Sequence, residues 1–377
     1  MKIFLFQKII IFYIFSFFTV FSGTSDFENS VEVKTIFGPI SLESVLLRIY
    51  KLNEMQRLKN IDRLGSLPYW SGIKKFNRLD HCLNVLWLVK NFGGDIQEQI
   101  AALTHDISYT VFPEAADIVF GKPNYQDTLH EWFLQQTSIR DAIAGHDFVE
   151  KDILPENLIF KRLNPQPTKE NSAASPASKK PKIESLEMSA DSIANVLQTG
   201  LLLKMITQKD IDLIRDNLRF ENDQWFFINA KAAKRFGFLS LVLTQHFWGL
   251  AKNLVVYRIT GLIFKRALDL QRITKEDMNF GTDKQILDKL DACDDPQLKK
   301  LIAKAKIPKN AFKPIGDGQG SPDFCPKPKF LGLDPLVHFK HSKKFKRLSK
   351  IDKKFAKQFK LAQQFCEKGY KLQLNLK

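Results

Sequence analysis

The stretch AALTHDISYTVF, residues 101–112, ends a run of small and apolar residues on an adjacent histidine and aspartate, His105-Asp106. A helix that only fills a core needs no neighbouring pair of metal-capable side chains, so the pair reads as half of a metal site or as a polar helix end. The dipeptide alone does not decide. A second one, His146-Asp147, follows Gly145 and reads as a surface turn. What singles out the first pair is its company. His81 lies in the preceding helical segment, LDHCLNVLWLVKNF, and a short turn between the two helices can bring it against His105-Asp106. A later helical segment, SADSIANVL, supplies Asp191. Two imidazoles and two carboxylates form a mixed nitrogen and oxygen set that suits Mn, Fe, Ni, Zn or Mg, with water completing the shell.

Around these residues the pattern is helical. Ser41 reads as the cap of LESVLLRIYKLNEMQRL, in which Leu42, Val45, Leu46, Ile49 and Leu52 recur at helical spacing. Gly93-Gly94 ends the His81 helix. Asp95 caps IQEQIAALTHD, with Glu98 closing a capping box and Ile96, Ile100 and Leu103 forming the apolar stripe. Further helices are predicted over 126–144, 190–206, 209–217, 229–271 in two pieces, 274–306 in pieces, and 349–368. Strand signals are few: VKTIFGPISL, and LRFENDQWFFIN as a hairpin around Glu221-Asn222-Asp223. The class is mainly α, a helical core with a few short strands and a basic helical C-terminal extension.

The chain of 377 residues is 44% hydrophobic with 32 Phe, enough to bury a large core, which excludes a disordered protein. Lys and Arg outnumber Asp and Glu by 57 to 41, a net charge of +16, so an anionic partner is expected. Residues 1–23 read as a signal peptide, with Lys2 and Lys8 before an apolar run and small residues at Ser22-Gly23. Export is the expectation, and a membrane anchor over residues 3–21 is the alternative. The four cysteines lack metal-cluster spacing, and Cys82 reads as a small core residue. Residues 164–185, rich in Pro, Ser, Ala and Lys, read as a flexible insertion in a core spanning 34–312, and 313–377 as a separate basic region.

The order His81, His105-Asp106, Asp191 resembles the HD-domain metal-dependent phosphohydrolases, and its surroundings resemble the deoxynucleoside triphosphate triphosphohydrolase branch. MQRLKNIDRLG at 55–65 and NRLDHCLNV at 77–85 are similar to that branch's leader and first-histidine motifs, AALTHDI to its HD motif, and LHEWF at 129–133 to its later His-Glu position. ITKEDMNFGTDKQILDKL at 273–290 fits the wider family. The resemblance implies a divalent metal held by His81, His105, Asp106 and Asp191, and a metal-activated water that attacks phosphorus. It also implies a phosphate contact from Arg78, on the same helical face as His81, and a leaving-group role for His130. The branch usually carries a second histidine after the HD pair and a glutamine before Leu-Gly; Tyr109 stands near the first position and Arg63 at the second, and both are placed on the substrate side. Asn195 and Thr199 stand where the branch has a Tyr and an Asp around the last ligand. Metal binding survives these departures, whereas triphosphate specificity does not follow.

Residues 340–360 hold ten Lys and Arg against one acidic residue, with phenylalanines at 345, 355 and 359 and another at 339. A helix packed on the core by its Phe side, a nucleic-acid contact and an anionic-membrane contact compete there. The expected function is hydrolysis of a phosphorylated metabolite, foremost a nucleotide, with assembly into a homo-oligomer implied by the resemblance. The competing class is a noncatalytic binder of nucleotide, nucleic acid or anionic membrane that keeps the fold.

Overall fold

The chain's computed structural model describes residues 30–136, 138–165, 187–308, 311–316, 320–339 and 344–375. The expected leader over residues 1–23, nearly all of the expected 164–185 insertion and residues 340–343 of the basic segment lie outside the described residues. The first element is a hairpin of β1 (Ser30–Thr35) and β2 (Gly38–Glu43), turned at Gly38 with φ +124°. Ser41 is therefore not a helix cap. Ile40 and Leu42 alternate inward along β2, and this period of two holds the segment in the strand until helix Ser44–Lys51 begins at residue 44.

Helix Arg78–Asn91 is buried on nearly all sides, and the Asn77 side chain caps it by accepting from the Asp80 amide. Helix Ile96–Thr104 packs against it, capped as expected by Asp95. Glu98 does not complete a capping box. Its carboxylate accepts instead from the Arg162 amide and guanidinium, at 2.7 and 2.6 Å, which ties this helix to the segment before the insertion. Ile100 and Leu103 point inward, but Ile96 is 37% exposed, because the first turn overhangs the core edge.

The single helix expected over 126–144 is broken into a 3-10 turn (Tyr125–Leu129) and helices His130–Gln136 and Ile139–Ile143. A helix that the sequence reading missed, Pro113–Phe120, follows Phe112 in the left-handed region and starts on a proline. It lies along helix Ala251–Asp269 where a Cβ on Gly261 would come within 2.6 Å of Ile118, so only glycine permits that approach. The predicted break between residues 229 and 271 is a π-helical turn, Thr244–Trp248, between Ala230–Leu243 and Ala251–Asp269.

The second hairpin is as read. β3 (Leu218–Glu221) and β4 (Gln224–Phe227) turn on Asn222 and Asp223, both with positive φ, the requirement of a type I′ turn. Two strands missed from sequence extend it. β6 (Leu336–Phe339) runs parallel to β4, and β7 (Lys344–Arg347) pairs with β6, giving the order β3-β4-β6-β7. The short β5 (Phe312–Pro314) pairs with β8 (Leu372–Leu374). The basic region thus packs onto the helical core. Arg347 of β7 forms a buried ion pair with Glu187, just ahead of the helix that carries Asp191. In helix Lys353–Lys368, Phe355, Phe359 and Ala362 are buried while Lys353, Lys354, Lys357 and Lys360 face solvent.

The mainly α class is the class observed. No helix among the described residues is long and apolar enough to cross a membrane. All four cysteines are free thiols, with Cys82 in the core as read.

Asp283, 1% exposed at the start of helix Asp283–Asp291, accepts from the Asp62 amide and the Tyr69 hydroxyl through one oxygen, while the other has no partner. Burial raises its pKa from 3.8 to about 7. Its contribution to stability is therefore greatest below the unfolded value and lost as pH rises from about 4 through about 7, a change on the order of a few kcal/mol. Asp283→Asn keeps an acceptor and removes that loss. Urea midpoints of variant and wild type should differ by much more at pH 8, with the variant higher, than at pH 4.5; an unchanged pH slope would refute the assignment.

Candidate metal centre

Three helix ends converge on the site. His81 sits one turn into helix Arg78–Asn91, His105 caps the end of Ile96–Thr104, and Asp191 lies in the first turn of Ala190–Leu202, which Ser189 caps. Ligand-capable atoms of His81, His105 and Asp106 all lie within 4.8 Å of one another. Asp191 joins them, its Oδ1 2.8 Å from His81 Nε2 and 3.9 Å from His105 Nε2. The structure therefore brings together all four residues expected to ligate a metal.

The orientation of each ring is set from behind. His105 Nδ1 donates to the Ala102 carbonyl at 2.8 Å, which leaves Nε2 as a bare lone pair, buried and without a hydrogen-bond partner. His81, wholly buried, has Gln198 Oε1 at 2.8 Å from Nδ1 and Asp191 Oδ1 at 2.8 Å from Nε2. Both neighbours accept hydrogen bonds, so in the absence of an ion the ring needs two protons, yet burial lowers its pKa and disfavours the charged form. A divalent cation between Nε2 and Asp191 removes that conflict. The donor set and the bare nitrogen fit a metal of the Zn, Fe, Mn, Ni or Mg kind.

Burial acts to raise the pKa of Asp106, but the charges of His105, Arg78 and Arg63 outweigh it and hold the carboxyl below its usual range. Asp191 follows the same balance, with the His81 hydrogen bond as the largest opposing influence. Both carboxylates are ionised at neutral pH, as ligands must be.

Arg78, expected at a phosphate, is 1% exposed. Its guanidinium donates to Asp106 Oδ2 at 2.8 Å and lies 3.5 Å from the centre of the Tyr109 ring. It faces Asp106 rather than open space, which makes it a positioning group in this structure. Tyr109 covers it, and burial keeps the phenol protonated. Arg63 is 18% exposed, with Nη2 4.0 Å from Asp191. His130 is 4% exposed; Ser108 Oγ lies 2.9 Å from its Nδ1, and its Nε2 has no partner. Burial, then the charge of His105, lowers its pKa to about 4, so the ring is neutral at pH 7. His146-Asp147 lies in a turn, as read.

Three residues of this centre were not legible as such. Gln198 fixes the His81 ring; its signal was the seven-residue spacing from Asp191, two helical turns on one face. Ser108 partners His130 where the resemblance led to a histidine, and its signal was its place three residues after His105. Arg57, from the leader motif, donates to the carbonyls of Ile107, Tyr109 and Gly281 at 3.1, 2.8 and 3.0 Å, which pins the turn after the HD pair.

His105, His130 and Asp191 open into a cavity of about 430 Å³ whose other walls are Asp127, Pro155, Glu156, Leu163, Asn164 and Ser189.

No family model matches the sequence. The chain is 26% identical over 338 residues to the uncharacterized protein YdhJ of Bacillus subtilis, covering 89% of this chain and 96% of that one. It is 30% identical over 129 residues to the metal-dependent phosphohydrolase cns2 of Cordyceps militaris, a stretch that is 33% of this chain and 37% of that protein. Among solved structures it is similar to a phosphohydrolase of Bacteroides thetaiotaomicron, with TM-score 0.63 and 15% identity over 91% of this chain and 99% of that one. A hypothetical protein of Aquifex aeolicus gives TM-score 0.62 and 12% identity over 87% and 93%. The chain thus carries the fold of a solved phosphohydrolase around a cluster of two histidines and two aspartates.

Proposed function

We propose that this protein is a metal-dependent phosphohydrolase acting on a phosphorylated metabolite, with nucleotides the first substrates to test. The observation that carries the reading is the pair of histidine Nε2 atoms, one bare and one facing Asp191, beside Asp106, in a cluster whose His105 and Asp191 line a cavity together with His130. The likeness to a relative named as a metal-dependent phosphohydrolase supports it. His81, His105, Asp106 and Asp191 would hold the ion, which when bound lowers the pKa of a water toward about 7 and polarises a phosphoryl oxygen.

The chain's own residues do the rest. Ala102 and Gln198 hold the two imidazoles in the tautomer that presents Nε2. Arg78 keeps Asp106 ionised and oriented. Arg63, beside Asp191, offers a cation to a phosphoryl group. His130 lines the same cavity, and with Nδ1 accepting from Ser108 its Nε2 would present an N–H to the leaving oxygen. Export on the leader over residues 1–23 is part of this proposal and rests on the sequence alone.

The test is release of phosphate, pyrophosphate and triphosphate from a nucleotide panel by the full chain with Mn²⁺ or Mg²⁺, beside the His105→Ala/Asp106→Ala variant. Release that disappears in the variant is the expected result. No release by a folded, metal-loaded wild type would turn the reading toward the noncatalytic binder.

A further inference from the structure

Resting on that reading, we infer that the substrate is a phosphomonoester whose organic part carries hydroxyl or amino donors, not a nucleoside triphosphate. The inner end of the cavity is built for one phosphoryl group. It is lined by His105 and Asp191 of the candidate ligand set and by His130, whose buried Nε2 has no partner, while Arg63, outside the lining, stands 4.0 Å from Asp191. Further cationic help is missing from the described walls. Arg78 is covered by Tyr109 and bound to Asp106, and no lysine or arginine lines the cavity among the described residues.

The solvent-exposed part of the lining is acidic. Asp127 and Glu156 both line the cavity and both reach solvent, and Asp127 is raised in pKa first by desolvation and then in part by the negative charges of Asp106 and Glu156, so the carboxylates share one field. A second and third phosphate extending from the inner end would enter that field, and each like-charge approach is unfavourable. Hydroxyl or amino groups would be welcomed there as donors. Pro155 and Leu163 add an apolar surface, while Asn164 and Ser189 add polar ones. A volume of about 430 Å³ accepts an organic group of nucleoside or sugar size.

The reaction balances with water alone. The water oxygen bonds phosphorus, the bond between phosphorus and the ester oxygen breaks, and one water proton ends on the departing alcohol. The products are an alcohol and inorganic phosphate. His130, which lines the cavity, would hydrogen-bond the ester oxygen as that bond opens.

The test compares the full chain, loaded with Mn²⁺, on adenosine 5′-monophosphate, glucose 6-phosphate, ADP and ATP, beside Asp127→Asn/Glu156→Gln. Both replaced side chains are exposed and near-isosteric, so the fold is retained. At least one monoester should give kcat/KM about 10-fold or more above ATP, and the variant should close that gap mainly by lowering KM for ATP. Calorimetric titration of metal-stripped protein, which needs no turnover, should give the same order, with that monoester binding more tightly than ATP. Cleavage of ATP equal to or better than the best monoester, or a ratio unmoved by the variant, overturns the inference and leaves the phosphohydrolase standing. Absence of release from all four probes by folded, metal-loaded protein overturns both.

Discussion

Asp191→Ala stays folded and loses its metal: the expected result is a drop of more than about 100-fold in metal affinity, and a fall in phosphate release of about 10³-fold. The side chain is 46% exposed, so its removal opens no cavity in the core. It is also the oxygen that faces His81 Nε2 at 2.8 Å, and without it the ring keeps its single acceptor at Gln198 and has no second carboxylate to share a cation. Elemental analysis of the purified variant beside wild type, with a thermal melt of each in chelator, separates ligand loss from unfolding. A variant that retains a full equivalent of metal would remove Asp191 from the ligand set.

Arg78→Met produces the other large change, and it is one of stability. Asp106 and Arg78 are 3% and 1% exposed, and removal of the cation leaves a buried carboxylate beside an apolar side chain. Breaking a buried pair from one side costs about 3–5 kcal/mol. Arg78→Met/Asp106→Asn, which removes both charges, should recover most of that loss while still failing to bind metal. A double-mutant cycle from urea unfolding reads the coupling. Additive effects of the two single changes would mean that the ion pair does not hold this part of the core.

The cluster of His81, His105, Asp106 and Asp191 was legible because residue type and order survive without coordinates in space: two histidines on sequential helices, an adjacent aspartate, and a later aspartate at a helix start. Helix interiors were legible for a similar reason, since Ile100 and Leu103 bury at helical spacing. The start of the first helix was not, because β2 carries Ile40 and Leu42 at a period of two through residues that also fit a helical cap. β6 and β7 were missed because a strand of four residues gains its partner from β4, more than a hundred residues away. Arg78 shows the limit at the site. Spacing put it on the His81 face, which is correct, but only packing revealed that Asp106 and Tyr109 enclose it.

The buried pair of Arg347 and Glu187 has a consequence for the order in which the molecule is made. Glu187 stands two residues before Ser189, the cap of the helix that presents Asp191, and its partner emerges from the ribosome 160 residues later. β6, which must dock on β4, is equally late. A nascent chain therefore carries His81, His105 and Asp106 together well before the segment that fastens the fourth ligand exists. Loop closure over that separation is slow relative to local helix formation. The candidate centre is then among the last parts of the protein to mature, and an ion captured there would report completion of the fold rather than its nucleation.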